Sequence, residues 1–132
     1  MSEAQKNLDL VRRGYAAFNA GDMKTLSELF DESAHWHSPG RSTLAGDYKS
    51  RAAAFAYFGR LGGETGGTFK ATLKHLLSSD DGRVVGVHQN TAKRGAKQLD
   101  VLCCIIFELK NGRIVEGREF FYDVHAWDAF WS

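Results

Sequence analysis

Apolar positions along the chain fall into two kinds of rhythm. Ala4, Leu8, Val11, Tyr15 and Phe18 recur at spacings of four and three, which draws one stripe along a helix. Asn19-Ala20-Gly21-Asp22 interrupts it: Gly21 suits a left-handed helix end and Asp22 can cap the next N-terminus. A short second helix follows, with Met23, Leu26, Leu29 and Phe30 on its buried side. Ala34–Ser38 reads as a short strand ended by Pro39-Gly40, and the loop 41–48 leads to a third helix near Lys49–Leu61, capped by Ser50. Beyond the glycine-rich loop 62–67 the period changes to two. Phe69, Ala71, Leu73 and His75 face one way and Lys70, Thr72 and Lys74 the other, so this strand is half exposed. A strand over 83–93 follows, and a short turn over 94–97 leads to a strand over 101–109. Lys110-Asn111-Gly112-Arg113 then marks a two-residue hairpin, because Asn-Gly supplies both positive-φ residues that such a turn needs.

The hairpin organises the rest. Its first arm is apolar on both faces, with Val101, Cys103, Ile105 and Phe107 on one and Leu102, Cys104 and Ile106 on the other. Such a strand is covered on both sides. Helices of the same chain can cover one face, and a second copy of the chain is expected on the other. The second arm places Val115, Gly117, Glu119 and Phe121 on one face and Ile114, Glu116, Arg118 and Phe120 on the other. Glu119 thus shares a partly apolar face. At the end of the chain Trp127, Phe130 and Trp131 share helical spacing and are expected to pack over a pocket mouth or a sheet edge. The order of elements predicts an α+β fold of one domain over 1–132: three N-terminal helices packed on a strongly curved, mainly antiparallel sheet, with an internal pocket in the cone so formed.

Composition narrows the function. In 132 residues the formal net charge is +1, and the 17 Lys and Arg are scattered, which leaves no footprint for nucleic acid. No run approaches a membrane span, and the N-terminal stretch lacks the apolar core of a signal peptide. The two adjacent cysteines point to opposite faces of a strand, so a cytoplasmic protein with reduced thiols is expected. His35 and His37 stand i, i+2 on one strand face, a chelating spacing, but nothing nearby completes a ligand set, so neither metal nor cofactor is expected. His88 and Asn90 alternate with Val87 and Gln89, and the sequence leaves open which pair faces inward. Asp100 stands alone in an apolar strand and needs a partner.

Several strings carry a resemblance. Tyr15-Ala16-Ala17-Phe18-Asn19-Ala20-Gly21-Asp22 followed by Leu29-Phe30-Asp31 resembles the start of the nuclear-transport-factor-2-like superfamily. His37-Ser38-Pro39-Gly40, Leu44-Ala45-Gly46 and Gly112-Arg113-Ile114-Val115-Glu116 resemble its SnoaL-like domains in particular. The resemblance implies the curved-sheet cone, commonly dimeric through the sheet. Ketosteroid isomerases of this superfamily need an Asp base and an oxyanion hole of Tyr and protonated Asp. The matching positions here are Ser38, Gly14 (beside Tyr15) and Ile105, none of which can serve. SnoaL-like cyclases carry an acid/base Asp on the last strand, and Glu119 takes that position here.

The expected function is therefore a small apolar-ligand pocket with cofactor-independent acid/base chemistry, cyclase- or isomerase-like, on a small cyclic or polyketide-like substrate. Glu119 and His37 are the catalytic candidates, and Tyr15, Trp36, Ser38, Tyr57, Phe58, His88, Phe107 and Phe121 are the pocket candidates. The alternative is a non-catalytic ligand-binding or dimerisation module of the same fold.

Overall fold

The structure, a computed structural model, describes residues 2–132. Helices α1 (Glu3–Ala20) and α2 (Met23–Leu29) are followed by strands β1 (Phe30–Ser38) and β2 (Gly46–Tyr48). Helix α3 (Arg51–Gly63) precedes β3 (Lys70–Ser78), β4 (Val84–Arg94), β5 (Lys97–Lys110) and β6 (Arg113–Phe121), and α4 (Val124–Trp131) closes the chain. The six strands form one curled but unclosed sheet in the order β2-β1-β6-β5-β4-β3. Every pairing is antiparallel except β1 with β6, so the α+β reading holds with one parallel step added.

Local chemistry sets the helix ends as the sequence indicates. Gly21 ends α1 at φ 69°, and the Asp22 and Ser50 side chains accept from Thr25 N and Ala53 N to cap α2 and α3. Asn19 anchors α1 to the sheet, accepting from Ala71 N at 2.9 Å and donating to Ala71 O at 2.8 Å. The hairpin turn has the expected form, with Asn111 and Gly112 at φ 52° and 75°.

Four details differ from expectation. Phe30 opens β1 instead of ending α2, and Met23 is exposed. The loop 41–48 contains β2, which pairs with β1 from Trp36 to Ser38. The expected stripe on α1 turns slightly, so that Asn7, Leu10, Val11 and Gly14 are buried while Ala4 is exposed. On β3 an irregularity between Leu73 and His75 breaks the alternation, because two residues of β3 span one step of β4. His75 is thereby turned to solvent and Leu76 packs against the core.

A second bulge has larger consequences. Lys110 pairs with Arg113 and Leu109 with Ile114, but Glu108 pairs with Glu116, which leaves Val115 as an extra residue in β6. From there on the register of β6 is moved by one, and Ile105 stands opposite Glu119. Without that bulge Glu119 would sit opposite Cys104, on the outer face. The bulge also puts Ile114 inside, where the uninterrupted alternation had it facing out with Glu116.

The inner face of β5 is Val101, Cys103, Ile105 and Phe107, all buried. Its outer face shows Leu102 exposed and Cys104 and Ile106 half-buried. Asp100 finds its partner within the chain, accepting from Gln89 Nε2 at 2.7 Å. The C-terminal aromatics are buried, with Trp127 at 1% exposure, and each recovers about 2 kcal/mol. Basic side chains complement the end of α4: Arg94 and Lys97 donate to the carbonyls of Phe130 and Ala129, both at 3.1 Å. At its other side Asp128 accepts from the backbone of Arg41 and Ser42. Helix α4 is thus strapped over the sheet.

Candidate functional site

Helices α1, α3 and α4 lie over the inner face of the sheet and enclose a cavity of about 60 Å³. Its walls are mostly aromatic and aliphatic, and its titratable members are Tyr15, His88 and Glu119. That is smaller than the roughly 150 Å³ that accepts benzene in an engineered core. Ligands beyond a few heavy atoms enter only if the helix-borne rings of Tyr15, Phe18, Phe58 and Trp127 give way.

Glu119 is buried in this wall with both oxygens engaged. Trp36 Nε1 donates to Oε2 at 3.0 Å, and the Tyr57 hydroxyl donates to Oε1 at 2.8 Å. Since the Tyr57 proton is committed to the carboxylate, its oxygen accepts from Ser38 Oγ at 3.1 Å. Burial pushes the Glu119 pKa up to about 7, although the hydrogen bonds from Tyr57 and Trp36, with Ser38 behind Tyr57, favour the ionised form. Desolvation wins.

Backbone pairing explains the geometry. Trp36 stands beside Gly117 across the parallel β1–β6 pair, and a Cβ on Gly117 would collide with the indole ring. Glycine therefore lets the indole lie across β6 with its N–H toward Glu119. Tyr57 reaches the same carboxylate from α3, held by a stacked Tyr48 ring at 4.8 Å from β2. The short strand absent from the sequence reading thus positions a ligand of Glu119.

A second polar group lies further along the sheet. Tyr15 of α1 and His88 Nδ1 are 2.7 Å apart. The Tyr15 hydroxyl lies over Gly86, where a Cβ would crowd it. Burial lowers the His88 pKa to about 4, so the ring is neutral at neutral pH, and burial raises the Tyr15 phenol far above its ordinary value. Neutral His88 then accepts the Tyr15 proton at Nδ1. Asn90 follows His88 on the inner face, and no donor lies within hydrogen-bond geometry of its Oδ1.

Of the residues expected from sequence, Tyr15, Trp36, Phe58, His88, Phe107 and Glu119 all line the cavity. Ser38 and Tyr57 stand behind Glu119 as its supports. Phe121 stacks on Trp127 with centroids 4.0 Å apart and lies outside the lining. His37 points the other way. On the outer face it pairs with Asp47 at 2.5 Å through Nδ1 and with Glu116 at 3.1 Å through Nε2, separated from Glu119 by the sheet. Alternation along β1 dictates this, since Trp36 and Ser38 on either side are the inward pair. Asn90, whose face the sequence leaves open, and Trp127, expected over a pocket mouth or sheet edge, also line the cavity. The short β4–β5 turn pairs Arg94 with Lys97, and counting back from it places Asn90 opposite Val101 and His88 opposite Cys103. That register was the available signal.

A model of the SnoaL-like domain matches residues 11–117. The chain belongs to the SnoaL-like family. It is 36% identical over 126 residues to an uncharacterized protein of Mycobacterium tuberculosis, covering 96% of each. Bal32a, from a soil-derived mobile gene cassette, has a solved structure that is 69% identical, with a TM-score of 0.98 over 99% of this chain and 100% of that one. TerC, solved in co-crystals with polyporic acid, superposes with a TM-score of 0.82 over 95% of this chain and 97% of its own. At 16% identity TerC shares the fold alone. Among the described residues no helix is long and apolar enough to cross a membrane.

Proposed function

We propose that this SnoaL-like protein is a cofactor-independent acid/base enzyme in which Glu119 moves a proton at carbon on a small cyclic, largely apolar carbonyl compound. One observation carries the reading: a buried carboxylate on an apolar cavity, oriented by two hydrogen-bond donors, with its pKa about 7. A group half-ionised near neutrality accepts a proton from an acidic C–H and returns it elsewhere with similar ease. Trp36 and Tyr57 fix the carboxylate, and the Ser38–Tyr57 relay stabilises its ionised form. The lining includes no Lys or Arg, so an anionic substrate meets no counter-charge. TerC, which shares this fold, was co-crystallised with polyporic acid.

Deuterium exchange tests the reading without a known substrate. Small cyclic ketones and diketones in D2O are followed by NMR at their acidic C–H positions, with the Glu119 side-chain carboxyl titrated in parallel. Catalysed exchange and a raised Glu119 pKa are expected. An ordinary pKa with no exchange above background leaves a non-catalytic binding module in its place.

The second copy expected on the sheet also belongs to this proposal. Leu102, Cys104 and Phe120 adjoin one another on the outer face, with Leu102 and Phe120 exposed at 37% and 45%. Exposed apolar patches of this kind mark contact surfaces. A homodimer through this face should scatter light with twice the chain's 14.7 kDa mass at micromolar concentration, and a monomer mass would remove it.

A further inference from the structure

The cavity has a second polar end that the acid/base chemistry of Glu119 does not use. Asn90 lies two strands from Glu119 and, counted along β5, four residues away, since Asn90 stands opposite Val101 and Glu119 opposite Ile105. Its side chain is buried at 2% exposure, lines the cavity, and leaves Oδ1 without a partner. Trp127 lines the same cavity from α4 and leaves its Nε1–H equally unpaired. The two lie toward one end: Trp127 packs on Phe69 of the loop entering β3, two residues before Ala71, which is the β3 partner of Asn90. Buried polar atoms are nearly always paired, so an orphan acceptor and an orphan donor in one cavity describe a missing partner.

We propose that this end recognises a neutral hydroxyl group, so that the ligand is an apolar molecule carrying a phenolic, enolic or alcoholic O–H there. A ligand hydroxyl satisfies both orphans at once, donating to Asn90 Oδ1 and accepting from Trp127 Nε1–H, as a single water would. A carboxylate would meet the Asn90 oxygen with a second acceptor and find no cation in the lining. An ammonium group would meet the Trp127 donor. The surrounding Phe18, Phe69 and Trp127 rings suit a flat ring bearing the hydroxyl. This substrate class rests on the proposed reading for what happens at Glu119, but the hydroxyl site does not depend on it.

Phenol and toluene differ by O–H against CH₃ on the same ring. Toluene leaves water more readily, so an apolar cavity without polar recognition ranks toluene first. Affinities of both probes for the full chain are measured by NMR titration in the wild type and in Asn90→Leu, Trp127→Phe and Glu119→Gln. Expected are at least tenfold tighter binding of phenol by the wild type, a reversal in Asn90→Leu, a partial loss in Trp127→Phe and an unchanged preference in Glu119→Gln. Asn90→Leu should also raise the melting temperature, since it removes an unpaired buried group at similar volume. If that variant fails to fold, Trp127→Phe keeps the comparison decisive. The inference is overturned if toluene binds at least as tightly as phenol, if neither binds, or if the preference survives both cavity-end variants, as it would were water alone the partner. Preference lost only in Glu119→Gln would place the hydroxyl at the carboxylate, removing this site while leaving the acid/base reading intact. Preference carried by Asn90 alongside an ordinary Glu119 pKa would do the reverse.

Discussion

Glu116 and Glu119 stand on one strand three residues apart, and the sheet gives them opposite surroundings. Glu119 faces an apolar cavity, is buried by aromatic rings, and is pushed up to about 7. Glu116 faces outward, half-exposed, with His37 and Asp47 beside it. On that outer side Asp47 has its pKa lowered, chiefly by its hydrogen bond to His37. Both sides hold a carboxylate paired with a ring nitrogen. What separates them is burial: on the inside desolvation outweighs the hydrogen bonds to Glu119, and on the outside the hydrogen bond to His37 outweighs desolvation at Asp47. Side-chain type therefore does not locate chemistry in this fold. The face of β6 does, and a single bulge at Val115 sets that face.

The largest expected effect breaks this comparison at its centre. Glu119→Gln keeps shape and hydrogen-bonding capacity but removes the proton acceptor. Catalysed deuterium exchange should fall by roughly 10²- to 10⁴-fold, while Glu116→Gln changes it little. Equal losses in the two variants would show that the inner and outer carboxylates do not differ in role.

Next comes pH, which sharpens the contrast between Glu119 and His88 within the cavity. Between about 4.5 and 7 the folded protein keeps a proton on Glu119 that the unfolded chain has released, so its contribution to stability falls as pH rises, by about 3 kcal/mol in all. His88 acts in the opposite sense. Between about 4 and 6.5 the unfolded chain binds a proton that the folded ring refuses, so stability rises with pH by about 3 kcal/mol. The slopes oppose over the shared window, and urea unfolding of the wild type should vary little there. Glu119→Gln should leave a rising curve from pH 4 to 6.5, and His88→Gln a falling one from 4.5 to 7. Flat curves in both variants would mean that neither group is shifted by burial.

A smaller effect tests the glycine that lets Trp36 reach the carboxylate. Gly117→Ala places a methyl group where the indole lies, and the ring has to move away from β6. Overpacking of this kind costs about 1–3 kcal/mol. Since the Trp36 N–H is one of the donors to Glu119, its loss should raise the Glu119 pKa further and shift tryptophan fluorescence. An unchanged pKa would show that Tyr57 alone sets the carboxylate's environment.

The same region shows what the sequence carried and what it did not. Helix ends, the Asn111-Gly112 turn and the buried aromatic tail were legible because each rests on local chemistry: a capping oxygen, a positive φ, an apolar spacing. Glu119 was reached by resemblance and by its apolar neighbours. The direction of its side chain relative to β5 was not, because register beyond a turn follows from turn geometry only until a bulge intervenes, and nothing in Ile114-Val115-Glu116 announces one. Lys74 on β3 repeats the lesson, since the alternation that placed His75 inside is broken one residue earlier. The β2 pairing was hidden for another reason: three residues are too few to show a period. His37 stood beside the right strand residues on the wrong side of them, which alternation already implied once Trp36 was taken as inward.

The smallest expected effect lies on that outer side. His37 bridges Asp47 and Glu116 where solvent has access, and exposed pairs of this kind contribute about 0–1 kcal/mol. Glu116→Gln removes one charge, keeps a hydrogen-bond acceptor for His37 Nε2, and disturbs no inward residue. Its unfolding free energy should stay within about 1 kcal/mol of the wild type, with the difference shrinking further at high salt. The cavity should not notice. Glu119 should titrate at the same pH in both proteins, because the sheet backbone and the Trp36, Ile105 and Phe107 side chains separate the two carboxylates. A Glu119 midpoint that moves with Glu116→Gln would mean that charge on the outer face reaches through the sheet, and the two faces would then have to be treated as one coupled site.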